Sequence, residues 1–378
     1  MAIPQARAAR LVVLGLGTAT LLSLSFGAHL AASTARQPSF AALIARLSEP
    51  GGDFDTDNLV SNERSYLQVV PAVGQAGIGD GAYVGVGPDQ NFSYIAQLRP
   101  RIAFIIDVRR DNLLLHLLFK AVFGLARTRA DYLSLLTGRP IPVGVDAWSH
   151  ASIEKVVAYV DETPATAESA KRARTEADEC IKRFGVRLSM ADFETIDRFH
   201  RAFIDAGLSL RFESRGRSPR SYYPTYRELL LATDQTGQPA SYLSSERRFR
   251  FVQSLERRGL VIPVVGDIAG PHAMTEIGRV LTERHEHLSA MYVSNIEDYL
   301  FRDGRFPRFV ENLDRLSRDA RSVVIRSIFR GPYGLAVAGP SPSEGSASVL
   351  QSVDQLVADF TRGRYQNYSD VVNRSAGQ

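Results

Sequence analysis

A chain of 378 residues, 44% hydrophobic and 23% charged, has the composition of a globular protein able to bury a large core. Its formal net charge of +4, from 45 basic and 41 acidic residues, is scattered through helical stretches rather than gathered into a basic stripe, so nothing marks nucleic acid as a partner. Cys180 is the only cysteine, which excludes an internal disulfide, a thiolate zinc cluster and a CxxC redox pair.

Taken in chain order, Arg7 and Arg10 precede a stretch from Leu11 to Ala32 without a charge, and Arg36 is the next charged residue. A basic start, an apolar middle and small residues near Ala35 read as a signal peptide or membrane anchor over 1–35, with residues 11–32 long enough to meet a bilayer. The charge asymmetry puts the domain beyond this segment on the non-cytoplasmic side, so the expected localisation is membrane-anchored or exported to the periplasm.

Residues 36–339 read as a Rossmann-like α/β domain with a mostly parallel sheet flanked by helices. A helix is expected over 40–47, then the polar segment FDTDNLVSNE, then a helix over 64–73. That segment reads first as capping for the second helix and only second as a ligand contact. A strand over 81–87, a helix over 92–98 and an apolar strand over 102–108 form a βαβ unit. From about 113 to 258 the pattern is helical, a long insertion after the second strand. Strands return over 260–265, 288–294 and 322–329. Residues 340–378 read as a linker, an amphipathic helix over 349–362 and a polar, disordered tail. No feature sets an oligomeric state.

The chemistry concentrates in Tyr83-Val-Gly85-Val-Gly87-Pro-Asp89-Gln-Asn91 and in Asp107, twenty residues beyond Gly87. Glycines ending a first strand let the backbone turn tightly and approach a ligand, and an acid ending the second strand can accept two hydrogen bonds from ribose hydroxyls. Gln90 occupies the third glycine position of a dinucleotide fingerprint, and an acid at Asp89 would repel a diphosphate, so the expected partner is a small nucleoside-type ligand without phosphate. Asp267 after the third strand and Asn295 after the fourth stand where α/β ligands bind, although each is also a common turn or cap residue. His285-Glu286-His287 lacks a spaced third ligand and reads as a solvated helix end, and His116 on an apolar helix reads as a core residue.

This order and spacing resemble a class I S-adenosylmethionine-dependent methyltransferase domain. The stretches YVGVGPDQNFSYIAQLRPRIAFIIDVRRDN, VIPVVGDIAGPHAM and YVSNIEDYL resemble a family of uncharacterised bacterial proteins thought to share that fold, over about residues 55 to 335. The resemblance implies S-adenosylmethionine as cofactor, held by Gly85, Gly87 and Asn91 at the first turn, Asp107 at the ribose and Asp267 at the adenine edge, with Asn295 facing the substrate. Tyr83 stands where that pattern carries an acid, and Asp89 where it carries a third glycine. The alternative is an exported or anchored non-catalytic protein that keeps the fold and binds another nucleoside-type ligand or none.

Overall fold

The computed structural model describes residues 38–375 apart from 216, 218, 219, 221 and 330–344. The expected targeting segment at 1–35 lies outside the described residues. No helix among the described residues is long and apolar enough to cross a membrane.

Six strands form one mixed sheet: β1 (Ala82–Val86), β2 (Ile102–Asp107), β3 (Val261–Val265), β4 (Leu288–Ser294), β5 (Arg318–Phe329) and β6 (Ser346–Ser352). Their spatial order is β3-β2-β1-β4-β5-β6. The first five run parallel and β6 pairs antiparallel with β5. The fold is therefore α/β with a mostly parallel sheet flanked by helices, consistent with a Rossmann-like architecture. β1 through β4 are buried almost end to end, as uninterrupted apolar runs such as IAFII require when helices cover a parallel sheet. Pro263 is tolerated inside VIPVV because β3 is an edge strand, where one missing N–H breaks no second ladder.

The helix Phe40–Leu47 forms as expected, capped by the Ser39 hydroxyl, and packs on β3 through Leu43, Ile44 and Leu47. The second helix is shorter than expected, Val70–Gln75, because residues 64–69 form turns instead. Between β2 and β3 the chain is helical, from Arg110–Leu125 through Glu246–Arg257. The first of these helices buries both of its faces, with residues 112–123 all buried, because the later helices of the insertion pack over it.

Residues 340–344 of the expected linker and 376–378 of the tail lie outside the described residues; the described remainder corrects the expectation of a linker and a disordered tail. Ser346–Ser352 is a paired strand, followed by the helix Val353–Thr361 and a last helix, Tyr368–Ser375. The last helix buries Val371 and Val372. Its Ser375 hydroxyl bonds to Arg326, a guanidinium with no solvent exposure that also holds Glu297 at 2.6 and 3.1 Å.

Candidate functional site

The order of strand addition reverses between β1 and β4, since β2 and β3 are laid down on one side of β1 and β4 and β5 on the other. Splayed loops at such a switch point leave a crevice beyond the carboxyl ends of the strands. The crevice here is a cleft of about 430 Å³, in the range of small-molecule sites.

The segment before β1 builds one wall. Glu49 N–H donates to the Val265 carbonyl at 2.9 Å, Gly52 N–H to the Val108 carbonyl at 2.7 Å, and the Thr56 carbonyl accepts from Arg109 Nη1 at 2.7 Å. The chain thus crosses the ends of β3 and β2 before Glu63 reaches β4 and β5. Thr56, Asn58, Ser61, Asn62 and Glu63 all line the cleft. The polar run therefore faces the cleft, where the sequence pattern ranked capping first. Its local caps are the Thr56 hydroxyl, which accepts from Asn58 N–H at 3.0 Å, and the Ser61 hydroxyl, which accepts from Glu63 N–H at 3.1 Å, and no helix begins at Asn62.

Of the residues expected at the site, Gly87, Asp107, Asp267 and Asn295 line this one cleft; Gly85 and Asn91 do not. A Cβ on Gly85 would collide with the Asn91 amide oxygen, so Gly85 is there to let the following helix approach the strand. Asn91 is fully buried, accepts from the Tyr83 hydroxyl at 2.8 Å and donates to the carbonyls of Val86 and Pro88 at 2.9 and 2.7 Å. Both residues shape the turn from behind. Gly87, with φ of 85°, needs the absent side chain. Its carbonyl is also bonded to His116 Nε2 at 3.0 Å, and burial lowers the His116 pKa to about 4, so the imidazole is neutral at neutral pH.

Asp89 does not face the cleft either. It is buried, accepts from the Tyr242 hydroxyl at 3.1 Å, and sits beside a hydroxyl chain in which Tyr242 meets Tyr226 at 3.0 Å and Tyr132 at 3.4 Å. Its expected repulsion of a diphosphate falls away with that placement. Burial raises its pKa from 3.8 to about 6. The fold therefore favours the protonated acid: this contribution to stability is full below pH 3.8 and is lost as pH rises through 6, a cost of about 3 kcal/mol above that. Asp89→Asn should flatten the stability profile between about pH 4 and 6 and stabilise the protein by roughly 1–3 kcal/mol at pH 7. Denaturant titrations across that range would show it, and a less stable variant at pH 7 would contradict it.

Asp107 is clasped by a residue the sequence pattern does not single out. Arg109 donates its backbone N–H and Nε to Asp107 Oδ1, at 2.9 and 3.0 Å, and Nη2 to Oδ2 at 2.7 Å. A carboxylate has about four acceptor positions and a guanidinium five N–H donors. The pair consequently keeps one acceptor position on Asp107 and two donors on Arg109, not the two free acceptors expected of Asp107 alone. Asp267 accepts from Ala269 N–H at 2.8 Å in a tight turn and from Arg305. Asn295 starts the helix Ile296–Arg302 without a side-chain capping bond; its Oδ1 accepts from the Ser294 hydroxyl at 3.3 Å, and the residue lines the cleft.

Sequence reasoning named Gln90 only as a missing glycine. Gln90 lines the cleft at 6% exposure, donates weakly to the Tyr292 hydroxyl at 3.4 Å, and its buried Oε1 has no partner. Buried polar atoms are nearly always bonded, so this one marks a place for a donor from outside the chain. Phe54 and Tyr299 meet edge to face at 5.5 Å on the rim, an apolar border. His285, Glu286 and His287 lie away from the cleft, and no group of three or more metal-ligating side chains is found among the described residues.

Fold and cleft together define an α/β protein with a crevice of small-molecule size at the switch point of its sheet. The chain belongs to the family described as Domain of unknown function (DUF7790), whose model matches residues 58–377. No curated protein matches the sequence.

Proposed function

We propose that the cleft binds a nucleoside-type ligand, S-adenosylmethionine being the one its chemistry suits best, and that the chain is a methyltransferase-like protein. The observation that carries this reading is the convergence of Gly87, Gln90, Asp107, Asp267 and Asn295 at the carboxyl ends of adjacent strands, with an unpartnered Gln90 Oε1 among them. The Asp107–Arg109 pair suits a vicinal diol, since one hydroxyl can donate to Asp107 while the other accepts from Arg109. Asp267, one strand further out, would take the adenine edge. Asn295 and the rim aromatics face the remaining space, where an acceptor would lie.

Charge selects among nucleosides. Asp53, Glu63, Asp107, Asp267 and Asp303 line the cleft; Arg215, Arg109 and Arg305 pair with Asp53, Asp107 and Asp267, which leaves Glu63 and Asp303 without a cation among the described residues. Such a surplus of carboxylates opposes a phosphate and favours a ligand without one. S-adenosylmethionine would bring an activated methyl group; the chain's part is to hold and orient it. Titrating the full chain with S-adenosylmethionine and with NAD tests this, and preference for NAD would defeat it. Simple ligand binding without transfer is favoured by one observation, the occupied oxygens of Asp107, and predicts binding with no methylated product.

Anchoring through residues 11–32 belongs to the same proposal. Deleting residues 1–35 should move the protein from membrane or exported fractions to the cytoplasm, and unchanged fractionation would contradict it.

A further inference from the structure

Most buried acids of this fold have a cation. Glu297 has Arg326, Asp131 has Arg127 and Glu256 has Lys120. Glu63 does not. It is 1% exposed, and its carboxylate is met by the hydroxyls of Tyr292, Ser294 and Ser327. No Lys, Arg or His among the described residues pairs with it, and loss of solvent pushes its pKa up despite the three hydroxyl donors. Asp89 is also without a cation, but it is sealed among tyrosines, whereas Glu63 opens onto the cleft. In the empty cleft burial therefore favours the protonated acid, and a cation brought in by a ligand would stabilise its carboxylate form.

The topology says where that partner would come from. Asp107 ends β2, while Glu63 is bonded to Ser294 at the end of β4 and Ser327 in β5, with β1 lying between β2 and β4. Two strand spacings separate the ends of β2 and β4, about 10 Å. A ribose held at Asp107 by its 2′ and 3′ hydroxyls would send its 5′ substituent across Gly87 toward Glu63. The Tyr292 hydroxyl that binds Glu63 is also the one Gln90 reaches, so the orphaned Gln90 Oε1 stands in the same corner. The Glu63 carboxylate, left with about one of its four acceptor positions by the three hydroxyls, and the unpartnered Gln90 amide oxygen are both acceptors. A divalent metal would require more oxygen ligands than are grouped here, since no set of three acids or histidines is found among the described residues.

We propose that Glu63 is the counter-ion for a positively charged group on the 5′ side of the bound nucleoside, an inference that rests on the nucleoside reading above. Two chemistries supply such a charge in one ligand: a sulfonium, and the ammonium of an amino-acid moiety. Three probes separate them. S-adenosylmethionine carries both charges, S-adenosylhomocysteine only the ammonium, and adenosine neither.

On the unaltered full chain, at least one charged probe should bind about tenfold or more tightly than adenosine. Glu63→Gln, which keeps shape and removes charge, should erase that advantage while leaving adenosine within about twofold. A loss confined to S-adenosylmethionine identifies the sulfonium; a loss shared with S-adenosylhomocysteine identifies the ammonium. Equal affinity of all three probes for the unaltered chain overturns the proposal however the variant folds. So does an equal loss for adenosine in the variant, or no loss for any probe. In all these cases the nucleoside reading stands, whereas failure of every probe to bind the unaltered chain removes both.

Discussion

Glu297→Ala should be the most destabilising single substitution in the carboxyl-terminal half of the sheet, costing about 3–5 kcal/mol. Glu297 and Arg326 both have zero exposure, and the guanidinium receives its countercharge from this one carboxylate. Truncating it leaves a cation in a dry core with Ser375 as its remaining side-chain partner. Against a typical total stability of about 5–15 kcal/mol, such a loss is large. The consequence reaches the cleft, because Glu297 lies on the helix that carries Tyr299 and Leu300 into the cleft wall. Replacing Glu297 and Arg326 together by methionine should recover a substantial part of the loss, since no charge is then left stranded. Denaturant midpoints of the single and double variants decide it. A loss below about 1 kcal/mol for Glu297→Ala would mean that water reaches the guanidinium.

Asp107→Asn should weaken nucleoside binding at least about tenfold, because it replaces a charged acceptor at the ribose position by a neutral amide. Stability should fall as well, by about 3 kcal/mol, since Arg109 is only 4% exposed and Asp107 supplies its countercharge. Stability alone therefore cannot separate a ligand role from a structural one at this residue. Arg109→Met can: it removes the ion pair but keeps the Asp107 carboxylate, which at 12% exposure has more access to water. The ligand reading predicts a stability loss in both variants and the larger affinity loss in Asp107→Asn. Unchanged affinity in Asp107→Asn would reduce Asp107 to an anchor for Arg109.

Each element was legible in the sequence to the degree that its residues signal locally. The run IAFIID, the glycine turn and LSAMYVS are apolar stretches bounded by turn residues, and the strands and their parallel order emerge from that pattern alone. The strand SASVLQS was hidden because small and polar residues carry no alternation; its ladder to β5 and the burial of Ala347 and Gln351 hold it in place. The last helix was hidden for a related reason. Its few apolar residues suffice only because Val371 and Val372 are covered and Ser375 meets a buried arginine.

At the site, Gly87, Asp107, Asp267 and Asn295 were placed by the rule that ligands bind beyond strand carboxyl ends. Gly85 and Asn91 follow the same letters but serve the helix packing behind the turn, a distinction that depends on side-chain direction and not on spacing. Arg109 and Glu63 depend on contacts that no local pattern encodes, the first across a two-residue turn and the second between a leading segment and strands more than two hundred residues away. Only the density of polar groups in DTDNLVSNE pointed toward Glu63.

The most direct test of the nucleoside cleft is an equilibrium titration of the full chain with S-adenosylmethionine and NAD, followed by the same titration of Asp107→Asn. Saturable one-to-one binding of S-adenosylmethionine, weaker or absent binding of NAD with its diphosphate, and a loss of at least about tenfold in the variant are the expected results. Tighter binding of NAD, or no binding of either by a folded chain, would contradict the account.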